Sequence, residues 1–178
     1  IGPVYEPERA AELRAAGFAI RDDPGRGPRR VVPSPRPIAV VELEVIERLL
    51  ALGAVVIAAG GGGVPVVREG NALRGVDAVI DKDRTAALLA TRLEADFLLL
   101  LTDVSAVFAD WPGKAEPIRE ATPEELRRLD LDPGSMGPKV EAACRFTEAT
   151  GKPAAIGALD DARRVFEGSA GTRVRSGS

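Results

Sequence analysis

Two unbroken apolar runs, Ala54-Val55-Val56-Ile57-Ala58-Ala59 and Phe97-Leu98-Leu99-Leu100-Leu101, constrain this chain more than any other feature. Such runs, without polar alternation, predict strands covered on both faces, as in parallel sheets flanked by helices. Helical periodicity lies around them. Val41, Leu43, Ile46, Leu49 and Leu50 are spaced for the buried face of a helix that Gly53 can terminate. Lys82 to Leu93, Lys139 to Thr150 and Asp160 to Glu167 predict further helices, with Ala154-Ala155-Ile156 as a short strand. Thr122-Pro123-Glu124-Glu125 has the form of a capping box with proline at the first helical position, predicting a helix to about Leu129. Alternating helix and strand favours α/β layers over a bundle or a sandwich.

The first segment reads differently. Pro7 to Ala16 is a short amphipathic helix closed by Gly17, and Phe18-Ala19-Ile20-Arg21 with Arg30-Val31-Val32 are two strands across a Pro/Gly/Arg-rich turn. Pro33-Ser34-Pro35-Arg36-Pro37 is a stiff connector, so residues 1–37 are expected to form a small subdomain and linker, and residues 38–178 the main lobe. Val64 to Val79 predicts a hairpin excursion, with Val66-Val67 and Leu73 on either side of the turn-prone Glu69-Gly70-Asn71.

The 178 residues, 45% apolar and 29% charged, suit one globular domain with a small appendage. A net charge of -3 argues against a nucleic-acid partner, since Arg26, Arg29 and Arg30 are offset by Asp22 and Asp23. No stretch reaches the roughly 20 apolar residues a membrane span needs. The single cysteine, Cys144, permits no internal disulfide and sits on an apolar helix as a core residue. No histidine is present to serve as zinc ligand or general base, and no metal-ligating residues are assigned. Cytoplasmic residence is expected. Residue 1 is not methionine, so the chain is expected to lie inside a longer gene product.

Four places can carry chemistry, each with a purely structural alternative. Gly60-Gly61-Gly62-Gly63 lets backbone amides approach an anion, or is a flexible turn. It is no Walker motif, because no Gly-Lys-Ser/Thr follows, and Val64-Pro65-Val66 is extended where a Rossmann turn would enter a helix. In Asp81-Lys82-Asp83 an ammonium flanked by carboxylates can meet phosphoryl oxygens; alternatively Asp81 is an N-cap and Asp83 complements the helix dipole. Thr102-Asp103-Val104-Ser105-Ala106-Val107-Phe108 follows a buried strand, where open α/β sheets collect ligands, and suits an adenine slot or an ordinary strand-to-loop transition. Asp132-Pro133-Gly134-Ser135-Met136-Gly137-Pro138-Lys139 delivers a lysine into a helical first turn, where an anion would make it more comfortable than solvent alone. Trp111 and Tyr5 fit packing or ligand contact equally.

In order and wording these places resemble the carbamate kinases of the amino-acid kinase superfamily. The resemblance runs through Ile1-Gly2-Pro3-Val4-Tyr5, Gly25 to Pro35, Ala59 to Val66, Ala78 to Asp83, Leu101 to Val107 and Gly134 to Ala143. Its specific part is Arg29-Arg30-Val31-Val32-Pro33-Ser34-Pro35, which argues against an acetylglutamate kinase type. The resemblance implies a three-layer αβα sandwich with a mostly parallel central sheet, plus a small helix-hairpin protruding subdomain. It implies reversible phosphoryl transfer between ATP and carbamate, giving ADP and carbamoyl phosphate, with Mg2+, usually in the ATP-forming direction of arginine breakdown, by a homodimer. Lys82 then matches a lysine that stabilises the transferring phosphoryl group, Lys139 one that meets the nucleotide phosphates, and Asp83 the aspartate that holds the lysines. Thr102, Asp103, Val104, Ala106, Val107 and Phe108, with Gly134, Ser135 and Met136, match the nucleotide wall, and Gly60, Gly61 and Gly62 lie near carbamate and the transferred group.

One departure bears on activity. The family opens with a strand and a Gly-Gly-Asn loop that nothing here matches, and a further catalytic lysine would precede Ile1. The chain is expected to resemble the carboxyl-terminal portion, weak or inactive alone. The alternative is a nucleotide-binding module without catalysis.

Overall fold

The computed structural model describes residues 2–23, 25–110, 116–132 and 134–177. Trp111, and with it the choice between packing and ligand contact, lies outside the described residues, as do Ile1 and Pro133. Two compact units form: Ile1–Arg36 with Val64–Ile80, and Pro37–Gly63 with Asp81–Ser178.

In the first unit, α1 (Pro7–Ala15) starts on a proline whose missing N–H costs nothing at a helix start. The hairpin of β1 (Ile20–Asp23) and β2 (Gly27–Arg30) follows, about two residues nearer the turn than the apolar residues suggest, because pairing continues to Asp23 opposite Gly27. Arg30 lies over the Phe18 ring at 4.5 Å and reaches the Asp77 carboxylate at 2.9 Å, tying this hairpin to the later one within the unit.

The second unit begins with α2 (Leu43–Ala51), which forms where the periodicity places it. Its apolar face is not buried: Ile46 is in the core, while Val41, Val45, Leu49 and Leu50 are exposed. The larger correction is Ala54 to Ala59. No strand forms there, and Val55 and Ile57 are 95% and 96% exposed. A strand exists only through a neighbour that takes up its backbone donors and acceptors, and among the described residues none pairs with this run. The hairpin of β3 (Val66–Glu69) and β4 (Ala72–Gly75) then turns at Gly70-Asn71 as expected and belongs to the first unit.

From Asp81 onward the chain builds a covered sheet. α3 (Lys82–Arg92) leads to β5 (Leu98–Thr102), and two short strands, β6 (Val107–Phe108) and β7 (Pro117–Ile118), pair with each other. β8 (Glu120–Ala121) precedes α4 (Pro123–Arg127), whose capping box is complete: the Glu125 N–H donates to Thr122 Oγ1 at 3.3 Å and the Thr122 N–H to Glu125 at 2.8 Å. α5 (Met136–Thr150) starts three residues before the expected Lys139, because Pro138 is tolerated in a first turn. It ends at Gly151 with φ 71°. β9 (Ala154–Ala158), α6 (Ala162–Glu167) and β10 (Thr172–Val174) complete the unit.

The sheet order is β5-β9-β10-β8, with β5–β9 and β10–β8 parallel and β9–β10 antiparallel, so it is mostly parallel. Ala154, Ala155, Ile156 and Gly157 are all buried, hence β9 is covered on both faces. Ala154 and Ile156 join Phe146 of α5 in the core, while Gly157 receives Val165 of α6. This αβα layering requires glycine at two crossing points. A Cβ on Gly157 would lie 2.6 Å from Val165, and one on Gly171, at φ +75°, 2.6 Å from the Ile156 carbonyl oxygen. Gly171→Ala is therefore expected to cost more than about 2 kcal/mol in equilibrium urea unfolding, since backbone cannot yield as a side-chain end can. An unchanged midpoint would show that β10 can shift to admit the methyl group.

Candidate active site

α3 begins where Asp81 caps it. The Asp81 side chain accepts from the Asp83 and Arg84 amides at 3.1 and 3.0 Å, which satisfies first-turn donors and confirms the structural role weighed for this residue. The next two residues diverge. Lys82 points outward with its side chain 57% exposed, whereas Asp83 is buried.

Asp83 is buried because its partner comes from the other packed helix. Lys139, fourth residue of α5, places Nζ 2.9 Å from Asp83 Oδ2, and both side chains are under 10% exposed. Lys82 Nζ stands 3.7 Å from the same oxygen. One carboxylate thus sits between two ammonium groups, leaving the trio with a net positive charge. Buried ions remain charged only when paired. Of the two lysines on Asp83, Lys82 is the more exposed and the one that solvent reaches.

At the start of α5 the Gly137 N–H donates to Asp132 O at 2.9 Å, and Pro138 has no N–H. Ser135 occupies the N-cap position and makes no cap bond, and its hydroxyl donates to Asp132 Oδ2 at 2.5 Å. No acidic residue lies in the first turn. The positive charge at this helix start comes from Lys139, while the Asp132 carboxylate just before it takes up the Ser135 hydroxyl. Asp132 also accepts the Gly134 N–H at 3.0 Å, and these bonds, the Ser135 hydroxyl first, hold its carboxyl below the ordinary aspartate range.

The glycine run lies in the same unit. Gly62 N–H donates to Ala59 O at 2.8 Å, and Ala59, Gly60, Gly62 and Gly63 all have positive φ, a run of conformations that side chains resist. Gly62 is buried while Gly60 and Gly61 are exposed. The buried Thr85 hydroxyl donates to Gly62 O at 2.8 Å and approaches Asp81 O at 3.2 Å, pinning the run to the head of α3. Residue reasoning missed Thr85. Its one local sign is a hydroxyl within a helix otherwise rich in Ala and Leu, where threonine bonds the carbonyl four residues back.

Thr102 to Phe108 follows β5 at the carboxyl end of the sheet. Thr102 donates to the exposed Asp103 at 3.0 Å. Ala106 and Val107 are fully buried, so their side chains belong to the core, and Val104 and Phe108 are half-buried. Gly134 and Ser135 are exposed and Met136 half-buried. Cys144 is buried in the core as expected, and burial pushes its thiol up to about 11. A cavity of about 800 Å³ in the first unit, lined by Gly2, Arg30, Val32, Arg74 and Val76 among others, includes none of the charged trio. Neither does one of about 620 Å³ beside Thr122 and Arg175.

This α/β fold, with lysines gathered on one buried carboxylate, defines a member of the amino acid kinase family, and the family's sequence profile matches residues 7–158. The chain belongs to that family. Its similarity is to proteins named carbamate kinase: that of Haemophilus influenzae is 48% identical over 178 residues, 98% of this chain and 57% of that protein. Carbamate kinase from Giardia lamblia bound to AMP-PNP superposes with a TM-score of 0.89 at 41% identity, covering 99% of this chain and 58% of that one. A solved protein from Aeropyrum pernix K1 gives 0.91 at 49% identity, covering 99% and 59%. The chain therefore spans somewhat over half the length of these relatives.

Two outcomes test the charged trio. Asp83→Asn leaves the buried Lys139 ammonium without its carboxylate and is expected to cost about 3 kcal/mol or more in urea unfolding. Asp83→Asn with Lys139→Met should recover part of that loss, and a single variant as stable as the parent would show that the pair is not buried in solution. The Asp132 loop gives a pH test. A lowered pKa contributes stability that is complete above the unfolded value and lost as pH falls through the folded one, so order at residues 132–135 should hold from neutral pH to about pH 4. Hydrogen exchange of that loop should accelerate only below it, and acceleration beginning near pH 6 would contradict the bonding seen here.

Proposed function

We propose that this chain is the nucleotide-binding portion of a carbamate kinase, working in reversible phosphoryl transfer between ATP and carbamate to give ADP and carbamoyl phosphate. The observation that carries it is the single Asp83 carboxylate shared by Lys82 and Lys139 at the starts of α3 and α5. In-line phosphoryl transfer needs positive charge on the equatorial oxygens more than it needs a base, so a chain without histidine is suited to it.

In this reading Lys82 meets the transferring phosphoryl group and Lys139, steadied by Asp83, the nucleotide phosphates. Thr102 to Phe108, with Gly134, Ser135 and Met136, faces the nucleotide, and Gly60, Gly61 and Gly62 line the acceptor side. Among the described residues no group of three or more His, Cys, Asp or Glu could hold a metal ion. In this reading Mg2+ would arrive on the nucleotide phosphates, as such ions commonly do, and offset their charge. Residues 1–37 are read as the small subdomain and connector, with the 64–80 excursion grouped beside them, and the rest of 38–178 as the nucleotide lobe. Cytoplasmic arginine breakdown, in the ATP-forming direction and by a homodimer, is the setting this activity suggests, and the exposed apolar face of α2 is surface for such an association.

A second reading, a nucleotide-binding module without catalysis, is favoured for the 178 residues alone by the unpaired Ala54 to Ala59 run beside the glycine turn. Calorimetry with Mg-ADP and an assay of ATP formation from carbamoyl phosphate separate the two. Nucleotide binding with turnover far below that of a full-length relative is expected; absence of Mg-ADP binding would overturn the proposal, and turnover equal to the relative's would overturn the module reading. In a form with measurable activity, Lys82→Ala should slow turnover by about 3 kcal/mol of barrier, the usual cost of losing a charge-stabilising donor.

A further inference from the structure

Thr172 is a polar residue with no exposed surface, at the head of β10 and 65 residues from the segment it holds. Its Oγ1 accepts the Val107 N–H at 2.8 Å and donates to the Ile118 carbonyl at 2.5 Å. Val107 and Ile118 are directly opposite one another in the β6–β7 pair. One hydroxyl therefore bonds both members of that pair and fastens it to β10, which is itself ladder-bonded to β9 through Thr172 opposite Ile156. The Arg173 N–H, donating to Arg119 O at 2.9 Å, extends the same seam.

We propose that Thr172 is a positioning residue for nucleotide binding, setting the height of the Val104 to Phe108 wall through its bond to the Val107 amide. This rests on the reading of that wall as nucleotide-facing. The Val107 side chain is committed to the core, so the placement of its backbone governs where Phe108 and the preceding loop stand. A buried hydroxyl that donates and accepts at once has a fixed direction and costs no unsatisfied group. Valine at this position would set a methyl group against a buried N–H and a buried C=O, and the least tethered partner, the two-stranded β6–β7 pair, would give way. Serine keeps both bonds.

The test compares the parent chain, Thr172→Val and Thr172→Ser by Mg-ADP calorimetry and by hydrogen exchange of residues 103–109 against β9. Thr172→Val is expected to weaken ADP binding about tenfold, as loss of a buried bond of ordinary strength implies, with faster exchange at 103–109 and unchanged exchange in β9. Thr172→Ser should stay close to the parent in both readouts. A folded Thr172→Val with parental ADP affinity overturns this inference alone, as does Thr172→Ser weakening binding as much as valine. Should the valine variant not fold, Thr172→Ala, which removes the hydroxyl without adding an apolar branch, takes its place under the same criteria. A parent chain that binds no ADP overturns the proposed function and this inference with it.

Discussion

The rest of the second unit depends on one buried ion pair, Asp83 with Lys139. α3 and α5 are packed neighbours whose Ala87, Ala90, Ala142 and Ala143 lie in one core cluster, and small residues alone set the rotation of one helix against another only loosely. A carboxylate and an ammonium that must find each other out of water fix it. Breaking such a pair by losing one partner is costly, although the intact pair adds little net stability. Its effect is to hold two helix starts in register: the Asp81-capped start of α3, with Lys82, and the start of α5, with Lys139. Because one negative charge stands among two positive ones, the arrangement is stable without ligand and retains attraction for an anion.

The sheet supplies what the helices cannot. β5 and β9 run parallel from buried beginnings to Thr102 and Ala158, so the polar segment Thr102-Asp103 emerges at the carboxyl end, where parallel α/β sheets bind ligands. Covering β9 on both faces rests on Gly157 and Gly171, whose missing side chains let α6 and β10 close on it. The same closure delivers Thr172 beneath the β6–β7 pair. Packing near residue 172 thus reaches the Val107 segment through a continuous set of contacts.

Features whose cause is local were legible in the residues. The Thr122–Glu125 box, the Asp81 cap, the Gly70-Asn71 turn and the Gly53 stop each act within a few positions, and each appears. Parallel β5 was legible because an apolar run covered on both faces finds its neighbour within this chain. Ala54 to Ala59 is equally apolar and, among the described residues, has no such neighbour, so apolar character alone misleads: being a strand is a property of two segments. The lysine and aspartate residues of the candidate site, and Asp83 as the group that holds the lysines, were expected through resemblance; local reasoning could not join them, since 56 residues separate Asp83 from Lys139. Thr85 and Thr172 escaped for a related reason. A threonine's buried bond to a distant backbone atom leaves little trace beside it in the chain.

The most direct measurement is an amide chemical-shift map of the 178-residue chain titrated with Mg-ADP. Saturable shifts at Val104 to Phe108, Gly134 to Met136 and Lys139 are expected, with β3 and β4 unmoved. Shifts confined to the cavity residues Gly2, Arg30 and Val76, or no saturable shift at all, would contradict a nucleotide site built around Asp83 and Lys139.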